Sequence, residues 1–189
     1  AQMLEDSCLA LIHKDTGKSG RVILQEEELV DPVYKELNTF INNLMREDLS
    51  QAQQKRCFQL KNLLIDIERV GDMAEDIAQY AVERVLNKVP FSPQAIEELE
   101  CLWNHAHRTY RLAVEAFKEG DARKAREVCG LESEFDRMYW QTRQAHIHRL
   151  HTNVCDPEAD MIFTETVRNL ERISDHADNL GISVARTCV

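Results

Sequence analysis

Apolar residues return along this chain every three or four positions. Leu60, Leu63, Leu64, Ile67, Val70, Ala74 and Ile77 form one such series, and Ile162, Phe163, Val167, Leu170, Ile173, Ala177 and Leu180 form another. That spacing places one apolar stripe along an α-helix. The residues between the stripes are helix punctuation. Ser50 followed by Gln53 reads as a capping box. Ser92-Pro93 and Asp156-Pro157 each read as a cap with proline in the first turn, and Gly120-Asp121 as a helix stop followed by a new start. The pattern predicts helices over residues 1–14, 21–47, 51–87, 93–119, 122–151 and 157–187, with a loop over Lys14–Gly20 and a break over Lys88–Phe91. With only 6 Gly and 4 Pro in 189 residues, a strand-and-turn fold is disfavoured and the expected class is all-α.

The second half of the pattern repeats the first. Glu68-Arg69-Val70-Gly71-Asp72-Met73-Ala74 matches Glu171-Arg172-Ile173-Ser174-Asp175-His176-Ala177, an offset of 103 from residue 68 to 171. Ile67 with Leu170, Asp76 with Asn179 and Ile77 with Leu180 extend the match. Upstream, Glu27-x-x-x-Asp31-x-x-Tyr34 matches Glu132-x-x-x-Asp136-x-x-Tyr139, an offset of 105 from 27 to 132. A loop absorbs the two-residue difference. The expected architecture is a tandem duplication of two three-helix bundles, six long helices in all, over residues 1–91 and 92–189. By this register the counterpart of the helix beginning at Pro93 would start about a dozen residues before Ala1. The first helix therefore reads as shortened at its amino end, and the chain as part of a longer protein.

Charge narrows the function classes. The net charge of −10 disfavours nucleic acid, which needs clustered Lys and Arg, and suits cations. No apolar run approaches the ~20 residues of a membrane span. The six cysteines (Cys8, Cys57, Cys101, Cys129, Cys155, Cys188) are scattered with no C-x-x-C pair, which fits a reduced, cytosolic setting.

The repeated chemistry is carboxylate. Residues four apart on a helix lie ~40° apart around its axis, so Glu27/Asp31, Glu68/Asp72, Glu132/Asp136 and Glu171/Asp175 each share a face. A lone pair of this kind is an ordinary solvated acidic face. Here the pairs flank apolar stripes and recur on adjoining helices, where antiparallel packing would bring them together. Converging carboxylates repel unless a cation or protons lie between them, and hard, oxygen-liking metals suit such a ligand set. Arg69 and Arg172, next to the motif glutamates, read either as partners of carboxylates on a neighbouring helix or as members of ordinary surface ion pairs. The Glu-x-x-His spacing of ferritin-like di-iron proteins is missing, and no residue is placed as a catalytic base, so an enzyme is not expected.

Other candidates carry less. Gly17-Lys18-Ser19 lacks the earlier glycine of a phosphate loop, because position 12 is Ile12. His105/His107 and His146/His148/His151 read as surface histidines, and Trp103, Tyr110 and Trp140 as core or bundle contacts.

The segments "DIERVGDMAEDIA" and "NLERISDHADNLG" resemble the duplicated signature of PhoU, the phosphate-uptake regulator family, and "EEELVDPVY" and "LESEFDRMY" resemble its second acidic motif. The resemblance covers nearly the whole chain. "LMREDLSQAQQKR" and "HIHRLHTNVCDPEADMIF" are similar to the PhoU-type C-terminal domain of bacterial sodium/phosphate cotransporter family proteins. The resemblance implies two PhoU-like bundles and a regulatory, non-catalytic role in phosphate transport and signalling. It also implies metal, with multinuclear iron foremost and zinc, manganese or nickel as alternatives. By position, one site would use Glu27, Asp31, Glu68 and Asp72, the other Glu132, Asp136, Glu171 and Asp175. The implied partner is a membrane phosphate transporter, in the same polypeptide, or a phosphate sensor kinase, with a homodimer also open. The implied location is the cytoplasmic face of the membrane. The competing reading is a metal-free acidic interaction module. Departures from the family pattern are Pro32 directly after Asp31, Gly71 against Ser174, and Asn179 against Asp76. Pro32 puts the first site in question, because it is expected to kink its helix.

Overall fold

Caps set the helix boundaries in the structure, a computed structural model that describes residues 1–152 and 155–187 without the side chains of residues 27, 186 and 187. Among the described residues all regular structure is helical: α1 (Gln2–His13), α2 (Thr16–Gln25), a π-helical turn (Glu26–Val30), α3 (Asp31–Leu44), α4 (Gln51–Leu86), α5 (Pro93–Glu119), α6 (Ala122–His151) and α7 (Pro157–Thr187). Because α2, the π turn and α3 run on without a break, these make six rods, as the periodicity predicts. Ser50 and Gln53 form the reciprocal capping box at the start of α4. Ser92 caps α5 through the Ala95 amide.

One boundary needs correction. The segment read as a loop, Lys14–Gly20, is mostly helix. The turn is only Lys14 and Asp15, with Lys14 in the left-handed region at φ 59°. Asp15 then caps α2 by accepting from the Gly17 and Lys18 amides at 3.0 and 3.1 Å. Two glycines within four residues hid this start. The second half carries the same device. Gly120 is left-handed, and Asp121 accepts from the Arg123 and Lys124 amides at 2.7 and 3.2 Å.

Each half packs its rods around α4 or α7, and these two helices meet antiparallel along the middle of the molecule, burying Val70, Ala74, Ile77, Leu170, Ile173 and Ala177 in one continuous core. Polar pins across this seam obey the internal repeat. Asn179 donates to Asp66 at 3.3 Å, and Asn169 donates to Asp76 at 3.4 Å. The offset of 103 exchanges Asp66 with Asn169 and Asp76 with Asn179, so each pin is the other's repeat image. A seam of that kind has the self-complementary form of a two-fold dimer interface, here within one chain. His176 adds a 2.8 Å bond to Asp66.

Aromatic and histidine positions divide. Trp103 and Tyr110 are buried, whereas Trp140 is largely exposed and is not a core residue. His148 and His151 are exposed, but His146 is not a surface histidine: it is buried, stacks on Phe163 and bonds Asp160 at 2.7 Å. Its apolar neighbours lie on other helices, which spacing along one helix does not reveal. Cys8, Cys57, Cys101, Cys129 and Cys155 are free thiols, and Cys188 lies outside the described residues.

Candidate metal centre

The four motif carboxylates of the second half lie near enough to repel one another but do not bring three oxygens within 4.8 Å of each other. Glu132, Asp136, Glu171 and Asp175 lie on facing turns of α6 and α7. Burial and then mutual repulsion raise the carboxyls of Glu132, Glu171 and Asp175 above their ordinary range. In the first half, Asp31, Glu68 and Asp72 converge in the same way, and Glu68 and Asp72 are raised for the same reasons. The Glu27 side chain lies outside the described residues. Arg69 and Arg172 are exposed, and their charge partly offsets the rise at the motif acids beside them.

Glu26 lies outside the four-residue spacing of the motif pairs. Its side chain is 2% exposed, and both carboxylate oxygens are without a hydrogen-bond partner. Glu26, Asp31 and Asp72 each offer an oxygen within 4.8 Å of the others. Among the described residues, no other such group of three forms. In an α-helix, residues 26 and 31 would point ~140° apart. The π turn closes that angle: the Asp31 amide donates to the Glu26 carbonyl, five residues back. Pro32 accounts for its position. In an α-helix the Pro32 ring would collide with the Glu28 carbonyl, and one extra residue in the turn relieves the clash. The kink expected at Pro32 thus takes the form of a bulge that brings Asp31 and Glu26 onto one face.

The bulge also resolves the register between the repeats. The caps at 15 and 121, the buried valines at 22 and 128, and the pair Glu26/Glu132 all stand 106 apart; beyond the bulge, Asp31/Asp136 and Tyr34/Tyr139 stand 105 apart. Glu26 is therefore in register with Glu132.

Gly71 completes the arrangement. A Cβ there would lie 2.5 and 2.9 Å from the two Glu26 carboxylate oxygens. The second half has Ser174 at this place, buried with its hydroxyl unpartnered, and Glu132 stays only half-buried. Burial, then Asp72 and Asp31, push the Glu26 carboxyl up to about 7. Asp31 already takes one cation, the Lys35 ammonium at 2.9 Å. A buried carboxylate without donors, facing two more carboxylates, requires a proton or a cation. An all-oxygen set this closely spaced fits a hard divalent ion. Gly71→Ala is expected to displace the flexible Glu26 carboxylate toward solvent and let its pKa fall toward the ordinary glutamate range. Fold stability should hold or rise by up to ~1 kcal/mol, because alanine favours the helix. Carboxyl-carbon NMR titration with a denaturation curve checks both; an unchanged Glu26 titration would refute the packing argument.

The PhoU domain model matches residues 1–81 and 102–184, one copy in each half. The chain belongs to the PhoU domain family. PhoU from Pseudomonas aeruginosa has the same fold, with a TM-score of 0.87 at 22% identity over 97% of this chain and 87% of that one. The phosphate transport system regulatory protein PhoU from Streptococcus pneumoniae superposes with a TM-score of 0.83 at 16% identity, over 97% of this chain and 84% of that one. In sequence, the phosphate-specific transport system accessory protein PhoU homolog of Pseudomonas putida is 25% identical over 95% of this chain and 70% of its own length. The candidate inorganic phosphate export protein YjbB of Escherichia coli K12 is 21% identical over 85% of this chain, but the match spans only 31% of that longer protein. No helix among the described residues is long and apolar enough to cross a membrane.

Proposed function

We propose that this PhoU domain is a non-catalytic regulator of phosphate transport or phosphate signalling that holds metal at its paired carboxylates. It would act on the cytoplasmic face of the membrane, within or beside a sodium/phosphate cotransporter family protein. Its relatives include phosphate transport accessory proteins and a longer candidate phosphate exporter, which supports the transport setting. The metal part rests on one observation: Glu26 is buried, unpartnered and turned toward Asp31 and Asp72. Glu26, Asp31, Glu68 and Asp72 would hold ions in the first half, and Glu132, Asp136, Glu171 and Asp175 in the second. A bound cation supplies charge neutralisation at a point where two helices meet. It would thereby couple metal occupancy to the packing of α2, α3 and α4, which a transporter domain or a sensor kinase could read. Iron, manganese, zinc and nickel are all compatible with the ligands.

The Lys35–Asp31 pair favours a second reading, in which basic side chains of a partner neutralise the acidic faces and no metal is used. Elemental analysis of protein purified without chelator separates the two. The first reading expects bound transition metal, reduced by Asp31→Asn with Asp72→Asn in the first half and by Glu171→Ala with Asp175→Ala in the second. Metal-free preparations that bind a basic partner in a salt-sensitive way would support the second.

A further inference from the structure

The outward face of α6 changes character along its length. From Arg137 to His151 the helix holds three arginines, three histidines and no Asp or Glu, in a chain of net charge −10. Arg137, Trp140, Gln144, Ile147 and His151 follow alternating steps of three and four and are all exposed. They therefore share one outward stripe, with Arg143 beside Trp140 and Ile147. Trp140 is 58% exposed and Ile147 46%. Packing does not call for either. Their repeat images, 105 residues earlier, are Lys35 and Asn42, and the image of Arg143 is Asn38. The same helix thus folds in the first half with other polar residues at these three places. Arg143 is held in position by aromatic groups. Its guanidinium carbon lies 5.5 Å from the rings of both Tyr139 and Trp140, and it donates to the Tyr139 hydroxyl at 3.2 Å. Next to the stripe, a groove of about 340 Å³ between α6 and α7 is lined by Ile147, Leu150, Phe163 and Val167 together with Arg143 and Arg168. Its two carboxylates are already engaged, Asp160 by His146 and Thr164, and Glu165 by Arg168.

We infer that this face of α6 docks on an anionic lipid surface, with Trp140 and Ile147 entering the headgroup region and Arg137 and Arg143 meeting the lipid phosphates. Three observations select that partner. The first is charge: an acid-free basic stretch in an acidic chain is complementary to an anionic bilayer. It ends at Arg137, where the motif acids Asp136 and Glu132 begin. The second is composition. Tryptophan and arginine on one outward stripe are what a helix lying in a membrane interface presents, with the indole at headgroup level. The third is shape. The stripe runs along the outside of one helix for roughly 20 Å, which suits a flat surface. The groove beside it joins an apolar lining to guanidinium groups, the two chemistries of a lipid. The inference deepens the reading that the domain works at a membrane face, and it does not depend on metal.

Vesicle sedimentation tests it. This chain is mixed with vesicles of phosphatidylcholine alone, or of phosphatidylcholine with an equal share of phosphatidylglycerol. Binding is expected on the mixed vesicles only and should weaken with salt. It should fall at least roughly tenfold when Trp140→Lys, Arg143→Asn and Ile147→Asn are combined. These are the residues that the first half carries at the same places, so the helix should hold, and together they leave the net charge unchanged. Trp140 gives a second reading in the wild-type chain. Of the 2 tryptophans, Trp103 is buried, so quenching by acrylamide reports mainly Trp140. On mixed vesicles the emission should shift to the blue and the quenching should drop. No binding to the mixed vesicles would overturn the inference and leave a protein as the occupant of this face. Equal binding to both kinds of vesicle, binding that survives the triple variant, or bound protein with unshifted emission would overturn it as well. Elemental analysis decides the metal reading separately, so the two can fail independently.

Discussion

Metal-free protein is expected to lose stability as pH rises from about 4.5 to about 7, the reverse of ordinary acid denaturation. Glu26 sets the sign. Its carboxyl titrates at about 7 in the folded chain against 4.5 for an ordinary glutamate. Below pH 4.5 it is protonated in both states and contributes no difference. Between 4.5 and 7 the unfolded chain releases this proton while the folded chain keeps it, so unfolding gains free energy with each increment of pH. Above 7 the penalty is complete. A shift of this size corresponds to at most about 3 kcal/mol, reduced by the solvent that reaches Asp31 and Asp72 at the rim. Glu68, Asp72, Glu132, Glu171 and Asp175 are raised as well and act in the same direction. Asp6 and Asp121 are lowered and oppose the trend only at more acid pH, where their own stabilisation is lost. Urea denaturation at pH 5 and pH 8 in the presence of chelator reads the difference. Glu26→Gln should remove the largest part of it by raising stability at pH 8, because the amide can donate to Asp31 and Asp72. Saturating divalent metal should flatten the profile from the other side, since metal competes with protons for the same oxygens. A flat profile in the metal-free wild type would contradict the burial of an unpartnered carboxyl at position 26.

Particular residues explain how much of this arrangement was legible beforehand. Five of the six rods follow directly from apolar spacing and caps, and the duplication follows from matched carboxylates. The pairs Glu68/Asp72, Glu132/Asp136 and Glu171/Asp175 follow from the rule that residues four apart share a face, and the meeting of Asp31 with Asp72 from the antiparallel packing of adjoining helices. Glu26 does not, because that rule assumes an unbroken α-helix. A signal was nonetheless present: the cap pair at 15 and 121 and the tyrosine pair at 34 and 139 imply offsets that differ by one, so one extra residue lies between them. Pro32, with its clash with the preceding turn, localises that residue to the segment directly before it. Gly71, read as a departure from the motif, is what admits the Glu26 carboxylate. The helix start at Thr16 was obscured because Gly17 and Gly20 lower helix propensity there, and the Asp15 cap outweighs them.

Replacing Arg84 with alanine is expected to be among the most destabilising single changes in the chain. Arg84 is 2% exposed, and its guanidinium donates to the carbonyls of Leu11 and Ile12 at the carboxyl end of α1. Those carbonyls end a helix and have no partner in the next turn, so the arginine satisfies them and opposes the negative end of the helix dipole. The ring of Phe91 lies 4.0 Å from the guanidinium carbon and covers it. Burial lowers the Arg84 pKa, yet arginine remains charged at any working pH. Truncation therefore leaves buried carbonyls unpaired and a cavity beneath Phe91, at a cost of about 3 kcal/mol. For a chain of this size that corresponds to a fall in Tm of roughly 6–12 °C. Lysine should recover only part of the loss, because one ammonium on a flexible stem cannot replace a planar fork held flat against an aromatic ring. If Arg84→Ala unfolds within 1 kcal/mol of wild type, the guanidinium does not hold α1 in place. If it unfolds as expected, the loss should fall on α1 first, since α4 keeps its packing against α7 through Val70, Ala74 and Ile77. Hydrogen exchange would show α1 amides losing protection while those of α4 and α7 keep theirs.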